Sequence, residues 1–142
     1  MKTSARNQFI GKVEQVLIGA VNAEIYLILK GGETIVASVT KESVANLGIE
    51  VGSEVVALVK APQIVVVTDF AGYKLSARNQ LAGTVLTIKP GAVNSEIDIA
   101  LPGGDIIAAT VTNDSVETLG LCQGLPVSAV FKAGAVILAV KR

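Results

Sequence analysis

The chain has 142 residues, of which 51% are hydrophobic and only 4% aromatic, and its mean hydropathy is +0.60. Twelve lysines and arginines balance twelve acidic residues, which argues against a protein that binds nucleic acid phosphates. There is no histidine and only one cysteine, Cys122. This composition excludes an intramolecular disulfide and almost excludes a transition-metal cation site of the usual kind.

The N-terminal segment, residues 1–8, is polar and lacks the apolar core of a secretory signal. The longest apolar run, residues 135–140, is far shorter than the ~20 residues that a membrane span needs. We therefore predict a cytoplasmic protein that does not associate with membranes. Cys122 follows Leu121 in an apolar context, so we expect it to be a small buried core residue rather than a reactive thiol.

The chain repeats itself with a constant offset. The pentapeptide Ser-Ala-Arg-Asn-Gln occurs at residues 4–8 and again at 76–80, and roughly 29 of 68 aligned positions are identical between the copies. We predict a first domain at residues 3–69, a second at 75–142 and a short linker at 70–74. Gly72 is the expected flexible point of the linker.

In chain order, the first repeat predicts five strands and one helix. Apolar alternation predicts strands at residues 9–17, 24–29, 34–39, 54–60 and 63–68. Gly31 and Gly32 supply the positive φ angles of a tight hairpin between the second and third strands. Thr40 and Gly48 are expected to cap a short helix, and residues 61–62 to form the turn between the last two strands.

The order β-β-β-α-β-β in each repeat is that of an OB-like Greek-key barrel. We therefore predict an all-β protein made of two tandem five-stranded barrels. A unit of about 60–70 residues buries only about 60% of its unfolded surface. Because so apolar a chain has surface left to bury, we expect an oligomer.

The residues give little support for an enzyme, and we predict no catalytic residue. Without histidine, a nucleophilic serine would depend on a lysine, as in a pair of Ser43 with Lys60 or of Ser115 with Lys132. The duplicated acids at positions 24/96, 33/105 and 42/114 lie where solvated acids are ordinary. Residues 30–33 lack the Gly-Lys-Ser/Thr ending of a phosphate-binding loop, so we expect no nucleotide.

Each repeat does offer donors suited to an oxyanion. In the first repeat these are Ser4, Arg6, Thr40, Ser43, Lys60 and the N–H of Ala61. Each has an ordinary alternative: a plain helix cap for the threonine, a solvated side chain for the arginine and an edge lysine. The loop at residues 19–22, repeated at 91–94, is a second candidate, where converging N–H groups could hold an anion. A simple bend explains that loop equally well.

Taken together, these motifs resemble those of the Mop (molybdopterin-binding, TOBE-like) domain family. The resemblance rests on Ser-Ala-Arg-Asn-Gln, Gly-Ala-Val-Asn-x-Glu-Ile, Thr-x-x-Ser, Leu-Gly and Lys-Ala, each present twice, and the tandem arrangement is similar to that of di-Mop members. It implies OB-like barrels that form a homotrimer and bind several molybdate ions, or tungstate as a mimic, at subunit and domain interfaces. The implied role is storage and homeostasis of molybdenum in the cytoplasm.

The resemblance also implies two kinds of molybdate site. The interface kind would use Ser4, Arg6, Lys60 and Ala61 against Thr40 and Ser43 of a neighbouring unit, and Ser76, Arg78, Lys132 and Ala133 against Thr112 and Ser115. The kind near the threefold axis would use Ala20, Val21, Asn22, Ala92, Val93 and Asn94.

The two copies differ beside these residues. Pro62 is replaced by Gly134, and Leu17-Ile18 by Lys89-Pro90. We therefore expect a different turn beside the second lysine, and the sequence leaves open whether the sites of the two repeats have equal affinity.

Two further functions stay open at this point. The barrel could be a module that docks a protein partner, with the anion modulating contact. It could also be an OB-type nucleic-acid binder, although such proteins stack bases on aromatic side chains and this chain has few.

Overall fold

The computed structural model of the protein describes residues 1–141 and is built mainly from β-strands. The strands are β1 (Asn7–Ile18), β2 (Asn22–Leu29), β3 (Thr34–Thr40), β4 (Glu54–Val59), β5 (Val65–Val67), β6 (Asn79–Pro90), β7 (Asn94–Ala100), β8 (Ile106–Thr112), β9 (Pro126–Phe131) and β10 (Ile137–Ala139). The helices are α1 (Lys41–Leu47) and α2 (Asn113–Leu119), with 3-10 turns at Ala61–Gln63 and Ala133–Ala135. Among the described residues, no helix has the length and apolar character to cross a membrane.

The strands form two five-stranded antiparallel sheets, ordered β10-β4-β1-β2-β3 and β5-β9-β6-β7-β8. This confirms the prediction of an all-β protein made of two OB-like units. Each sheet, however, takes its fifth strand from the other repeat. Strand β10 pairs with β4 through Ile137 and Leu58, and β5 pairs with β9 through Val65 and Val130. The predicted boundaries at residues 69 and 75 therefore describe the sequence duplication, whereas the sheets combine both repeats.

The predicted turn between β4 and β5 is wrong in its geometry. The chain does not fold back beside β4 but enters the first 3-10 turn, which lies against β8 of the other repeat. Ala61 and Ile64 bury their side chains there, with 1% and 2% of their surface exposed. Burial of these two residues directs β5 away from its own sheet.

The core follows from the alternation along each strand. In β2, for example, Ala23, Ile25, Leu27 and Leu29 are buried, whereas the residues between them are half-buried. Buried side chains of both repeats form one hydrophobic cluster. Because the cluster is continuous, the two sheets share a core rather than merely touching.

Two buried asparagine side chains join the repeats, and we call their contacts the asparagine bridges. The side-chain amide of Asn79 donates to the carbonyl of Val36 at 2.8 Å and accepts from the Val36 N–H at 2.8 Å. Asn7 makes the same two bonds with Ala108, at 2.9 and 2.7 Å. Each asparagine therefore imitates a strand neighbour and satisfies backbone groups that burial would otherwise leave unpaired.

The helix caps agree with the sequence prediction. The Oγ1 of Thr40 accepts from the Ser43 N–H at 3.1 Å, and Gly48 ends α1 with a φ of 63°. The hairpin prediction is correct for Gly32, with a φ of 94°, and wrong for Gly31, whose φ is not positive. A Cβ on Gly31 would lie 2.6 Å from the carbonyl oxygen of Gly103. Close packing of two hairpins, rather than backbone freedom, therefore requires that glycine.

The linker and the cysteine also differ from expectation. Ala71 and Gly72 both have positive φ, at 51° and 83°, and the Tyr73 N–H donates to the Phe70 carbonyl at 2.9 Å. The linker is thus a tight turn rather than a single flexible glycine. Cys122 is exposed, so its predicted burial is wrong. Leu121 fills the buried position after α2, and the next residue begins a surface turn.

Candidate oxyanion-binding site

An arginine and a lysine follow the last pair of one strand ladder in each barrel. The ladder between β1 and β4 ends with Asn7 opposite Val59, and Arg6 and Lys60 are the next residues beyond it. In the second repeat the ladder ends with Asn79 opposite Phe131, and Arg78 and Lys132 are the next residues. All four side chains reach solvent. We call these two residues of each repeat, which the sequence predicted for one interface site, the Arg–Lys pairs.

Each Arg–Lys pair adjoins a 3-10 turn. The carbonyl of Lys60 accepts from the Gln63 N–H at 3.0 Å, and that of Lys132 accepts from the Ala135 N–H at 3.0 Å. The first N–H groups of a helical turn, including those of Ala61 and Ala133, have no acceptor inside the turn itself. These two N–H groups therefore need an acceptor outside the turn.

The residues that flank the two 3-10 turns have nearly the same backbone angles despite the change from Pro62 to Gly134. The preceding lysine has φ and ψ of −72° and 137° in the first repeat, and −73° and 144° in the second. The prediction that the turn differs is therefore wrong. A 3-10 turn needs the φ that proline already has, and Gly134 shows no positive φ.

The arginines are held by the opposite repeat. Arg78 donates to the carboxylate of Glu24 through Nη1 and to the hydroxyl of Tyr26 through Nη2 at 2.6 Å. The bond to Tyr26, followed by the charge of Glu24, raises the pKa of Arg78 above its ordinary value, so its charge is permanent. Arg6 forms the equivalent ion pair with Glu96.

These contacts place each arginine against the sheet of the opposite repeat. Arg78 lies against the first sheet, in which β3 ends at Thr40, and Arg6 against the second, in which β8 ends at Thr112. In the first sheet, Glu24 pairs with Ser38, and the next pair on that face, Asn22 with Thr40, lies about 7 Å further along the strands. Thr40 and Ser43 bond to one another, with 2.7 Å between their hydroxyl oxygens. The structure therefore brings Arg78 to the face of Thr40 and Ser43, without a bond between them.

The same arrangement holds in the second sheet. Glu96, which holds Arg6, lies one pair away from Asn94 and Thr112. The hydroxyl of Thr112 donates to Ser115 at 2.8 Å.

A cleft of about 330 Å³ lies between the repeats beside the second Arg–Lys pair. Ala77 and Lys132 of the second repeat and Pro62 and Gln63 of the first are among the residues that line it. Ser4 and Ser76 are exposed just before the arginines. Residues of both repeats therefore line this cleft.

The loops at residues 19–22 and 91–94 are bends rather than rings of converging N–H groups. The N–H of Gly19 donates to the Asn22 carbonyl at 2.8 Å, and the Lys41 N–H donates to Val21 at 2.8 Å. No residue of either loop has the positive φ of an anion nest. A Cβ on Gly19 would lie 2.9 Å from the Asn22 oxygen, which explains the glycine by close approach.

The tips of these loops are nevertheless open to a partner. Val21 and Val93 are 72% and 71% exposed. A cleft of about 260 Å³ runs from the first loop to Glu24. The residues that the resemblance assigned to the threefold axis therefore lie at the surface, and those of the first loop lie next to the carboxylate that holds Arg78.

Reasoning from the sequence missed these cross-repeat partners. The sequence predicts solvated acids at Glu24 and Glu96, yet the Glu96 side chain is only 17% exposed. The available signal for their role was that a glutamate occurs in both repeats, two residues after the Gly-Ala-Val-Asn loop. Asn7 and Asn79 belong to the same pentapeptide as the arginines, so that motif both joins the repeats and positions the cationic groups.

The profile of the TOBE domain family matches residues 3–66 and 75–138. The chain belongs to the TOBE domain family. Its structure is similar to a crystal structure of the cytoplasmic molybdate-binding protein ModG with molybdate bound, with 52% sequence identity and a TM-score of 0.97. That match covers 99% of this TOBE chain and 100% of the other.

Two curated relatives are longer. The molybdenum transport protein ModE of Herbaspirillum seropedicae is 44% identical over 142 residues, which are 100% of this chain and 53% of that protein. The molybdenum-pterin-binding protein MopA of Rhodobacter capsulatus is 40% identical over 140 residues, which are 99% of this chain and 53% of that protein. The chain thus spans about half the length of the curated relatives it matches.

Proposed function

We propose that this tandem TOBE chain binds molybdate, with tungstate as a mimic, at two sites built on the Arg–Lys pairs. The observation that supports the proposal is the strand register, in which Arg6 and Lys60, and Arg78 and Lys132, follow the last pair of a ladder just before a 3-10 turn. An oxyanion dianion needs two cationic groups and several donors, because an unpaired charge in a partly dry site is costly. The similarity to molybdate-bound ModG supports this choice of ligand.

Each site is completed by a second copy of the chain. Within one chain, the arginines are engaged by carboxylates and the threonine hydroxyls by serines, so one chain leaves each dianion partly open to water. Ser4, Arg6, Lys60 and the Ala61 N–H would meet Thr40 and Ser43 of another copy. The second repeat would contribute Ser76, Arg78, Lys132 and the Ala133 N–H against Thr112 and Ser115.

The assembly is a homotrimer that stores several oxyanions. Its support is the apolar surface that one chain leaves open, including Leu17, Ile18 and Leu47 in the first repeat. Helix α2 buries none of its residues in one chain. Contacts between copies would cover this surface. The number three follows from the family resemblance, and the exposed loop tips at Val21 and Val93 are where copies would meet around a threefold axis and hold further ions.

Titration calorimetry with molybdate tests binding, with sulfate as the competitor. We expect saturation at more than one molybdate per trimer and much weaker binding of the smaller sulfate ion. Light scattering with and without molybdate gives the number of copies. Saturation below one ion per trimer contradicts the proposal.

A paired variant tests the sites. Arg6→Gln with Lys60→Gln should abolish one class of sites and leave the class of Arg78 and Lys132 intact. Lys74→Gln, at an exposed lysine of the linker, is the matched control and should bind as the unmodified chain does. Equal loss of both classes in the paired variant would contradict the assignment.

A further inference from the structure

We infer that Glu24 and Glu96 are internal counter-anions that compete with molybdate for Arg78 and Arg6, and that Lys89 makes this competition unequal. The inference rests on the proposed function, because it concerns the same two arginines. Its consequence is that the site of Arg6 binds molybdate more tightly than the site of Arg78.

The competition follows from how Arg78 is held. Both of its terminal nitrogens already donate, one to Glu24 and the other to Tyr26, and its guanidinium carbon lies 5.8 Å from the centre of the Tyr26 ring. These bonds use two of the five N–H groups of the guanidinium, one on each terminal nitrogen. A bidentate contact with an oxyanion therefore either displaces one of them or is limited to the N–H groups that remain.

The second sheet holds its arginine less completely. Arg6 pairs with Glu96 through Nη2, and the position of Tyr26 is occupied by Asp98. Asp98 lies near Lys89 instead, with 3.6 Å between Nζ and Oδ2, and accepts from the Thr87 hydroxyl at 3.1 Å.

Lys89 also supplies Glu96 with a second cation. Its Nζ lies 3.5 Å from Oε2 of Glu96, while Arg6 contacts the other oxygen. The position of Lys89 is Leu17 in the first repeat, so Glu24 has no equivalent partner. When Arg6 binds an anion instead, Glu96 keeps its contact with Lys89, whereas Glu24 has no second cation within residues 1–141 once Arg78 leaves it.

The total charge does not explain the expected difference. With the lysine that the proposed site assigns to each arginine, the group of Arg6 comprises Lys60, Lys89, Glu96 and Asp98, and the group of Arg78 comprises Lys132 and Glu24. Both groups have one positive charge in excess. The difference lies in which charges are paired with one another, not in their sum.

The expected effect is small because the pairs are partly exposed. The side chains of Arg6 and Arg78 are 59% and 45% exposed. Ion pairs of this kind correspond to about a twofold to fivefold change in an equilibrium constant. We therefore expect the Kd of the Arg6 site to be about twofold to fivefold lower than that of the Arg78 site.

Calorimetric titrations with molybdate in two backgrounds isolate the sites. Arg6→Gln leaves the Arg78 site, and Arg78→Gln leaves the Arg6 site. In the Arg6→Gln background, Glu24→Gln should lower the Kd for molybdate by about twofold to fivefold, because the competitor is removed. Glu14→Gln, which changes an exposed carboxylate of β1, is the matched control and should have little effect.

A double-mutant cycle separates competition from the general attraction of charge. Leu17→Lys gives Glu24 the second cation that Glu96 already has, and it should lower the Kd of the Arg78 site. When Glu24→Gln is also present, Leu17→Lys should lower the Kd by a smaller factor, because the new lysine then has no carboxylate to pair with. If the two changes are simply additive, Lys89 acts through its charge alone and the inference is overturned.

The results distinguish this inference from the proposed function. If the unmodified chain binds no molybdate, the proposed function fails. If it binds molybdate but Glu24→Gln leaves the Kd unchanged or raises it, the glutamate orients the arginine and competition is ruled out. Unequal sites that become equal after Leu17→Lys support the inference.

Discussion

The two repeats have nearly the same backbone and different charged neighbours. Helices α1 and α2 end at glycines with φ and ψ of 63° and 36°, and 63° and 35°. Both first strands contain an irregularity at the same place, after Val13 and after Val85. The carboxylates that hold the arginines, by contrast, have different surroundings. The comparison teaches that duplication preserves what the fold requires and leaves the affinity of a site free to change.

The largest expected effect comes from separating the repeats. Residues 1–72 alone contain β5, which has no place in its own sheet, and lack β10, which completes that sheet. We expect this fragment to form dimers in which two copies exchange β5, as the two repeats do in the whole chain. Light scattering over a range of concentrations measures this. A stable folded monomer would show that a repeat can close its own sheet.

Removing an asparagine bridge should have the next largest effect. Asn79→Ala leaves the buried N–H and carbonyl of Val36 without partners, which costs about 1–3 kcal/mol for each group. Asn7→Ala should lower the free energy of unfolding by a similar amount, since Ala108 is held in the same way. Urea denaturation measures both, and Gln8→Ala, at an exposed side chain, is the control. A loss in only one repeat would break the equivalence of the two halves.

The smallest expected effect comes from copying one turn into the other. Gly134→Pro gives the second 3-10 turn the proline of the first, where the same backbone already accepts it. Replacing a residue by proline at a compatible site stabilises a protein by about 0.4–1 kcal/mol, because the unfolded chain loses freedom. Thermal denaturation measures the gain. Destabilisation would mean that the two turns differ in a way that their backbone angles do not reveal.

Local signals in the sequence predicted most of the elements. The alternation of apolar residues located the strands, and Thr40 and Gly48 located the helix, because these patterns depend on near neighbours. The exchange of β5 and β10 was missed, because a strand that folds back and one that crosses over have the same alternation. Cys122 was misassigned because either of two adjacent apolar residues can fill one buried position, and Leu121 fills it.

The candidate site was predictable only in part. Arg6 and Lys60 follow from donor chemistry, and their adjacency requires the register of β1 with β4. The partners Glu96 and Glu24 lie in the opposite repeat, 90 and 54 positions away along the chain, where no local pattern connects them with the arginines. Contacts of this kind depend on how the two sheets meet.

The tight turn at residues 70–73 has a consequence for how the two halves find each other. Because the connection is so short, the effective concentration of one repeat around the other is in the mM range. Exchange of β5 and β10 is then an intramolecular event, whose yield does not depend on how much protein a cell contains. Dilution, which separates associated chains, leaves this pair of sheets intact.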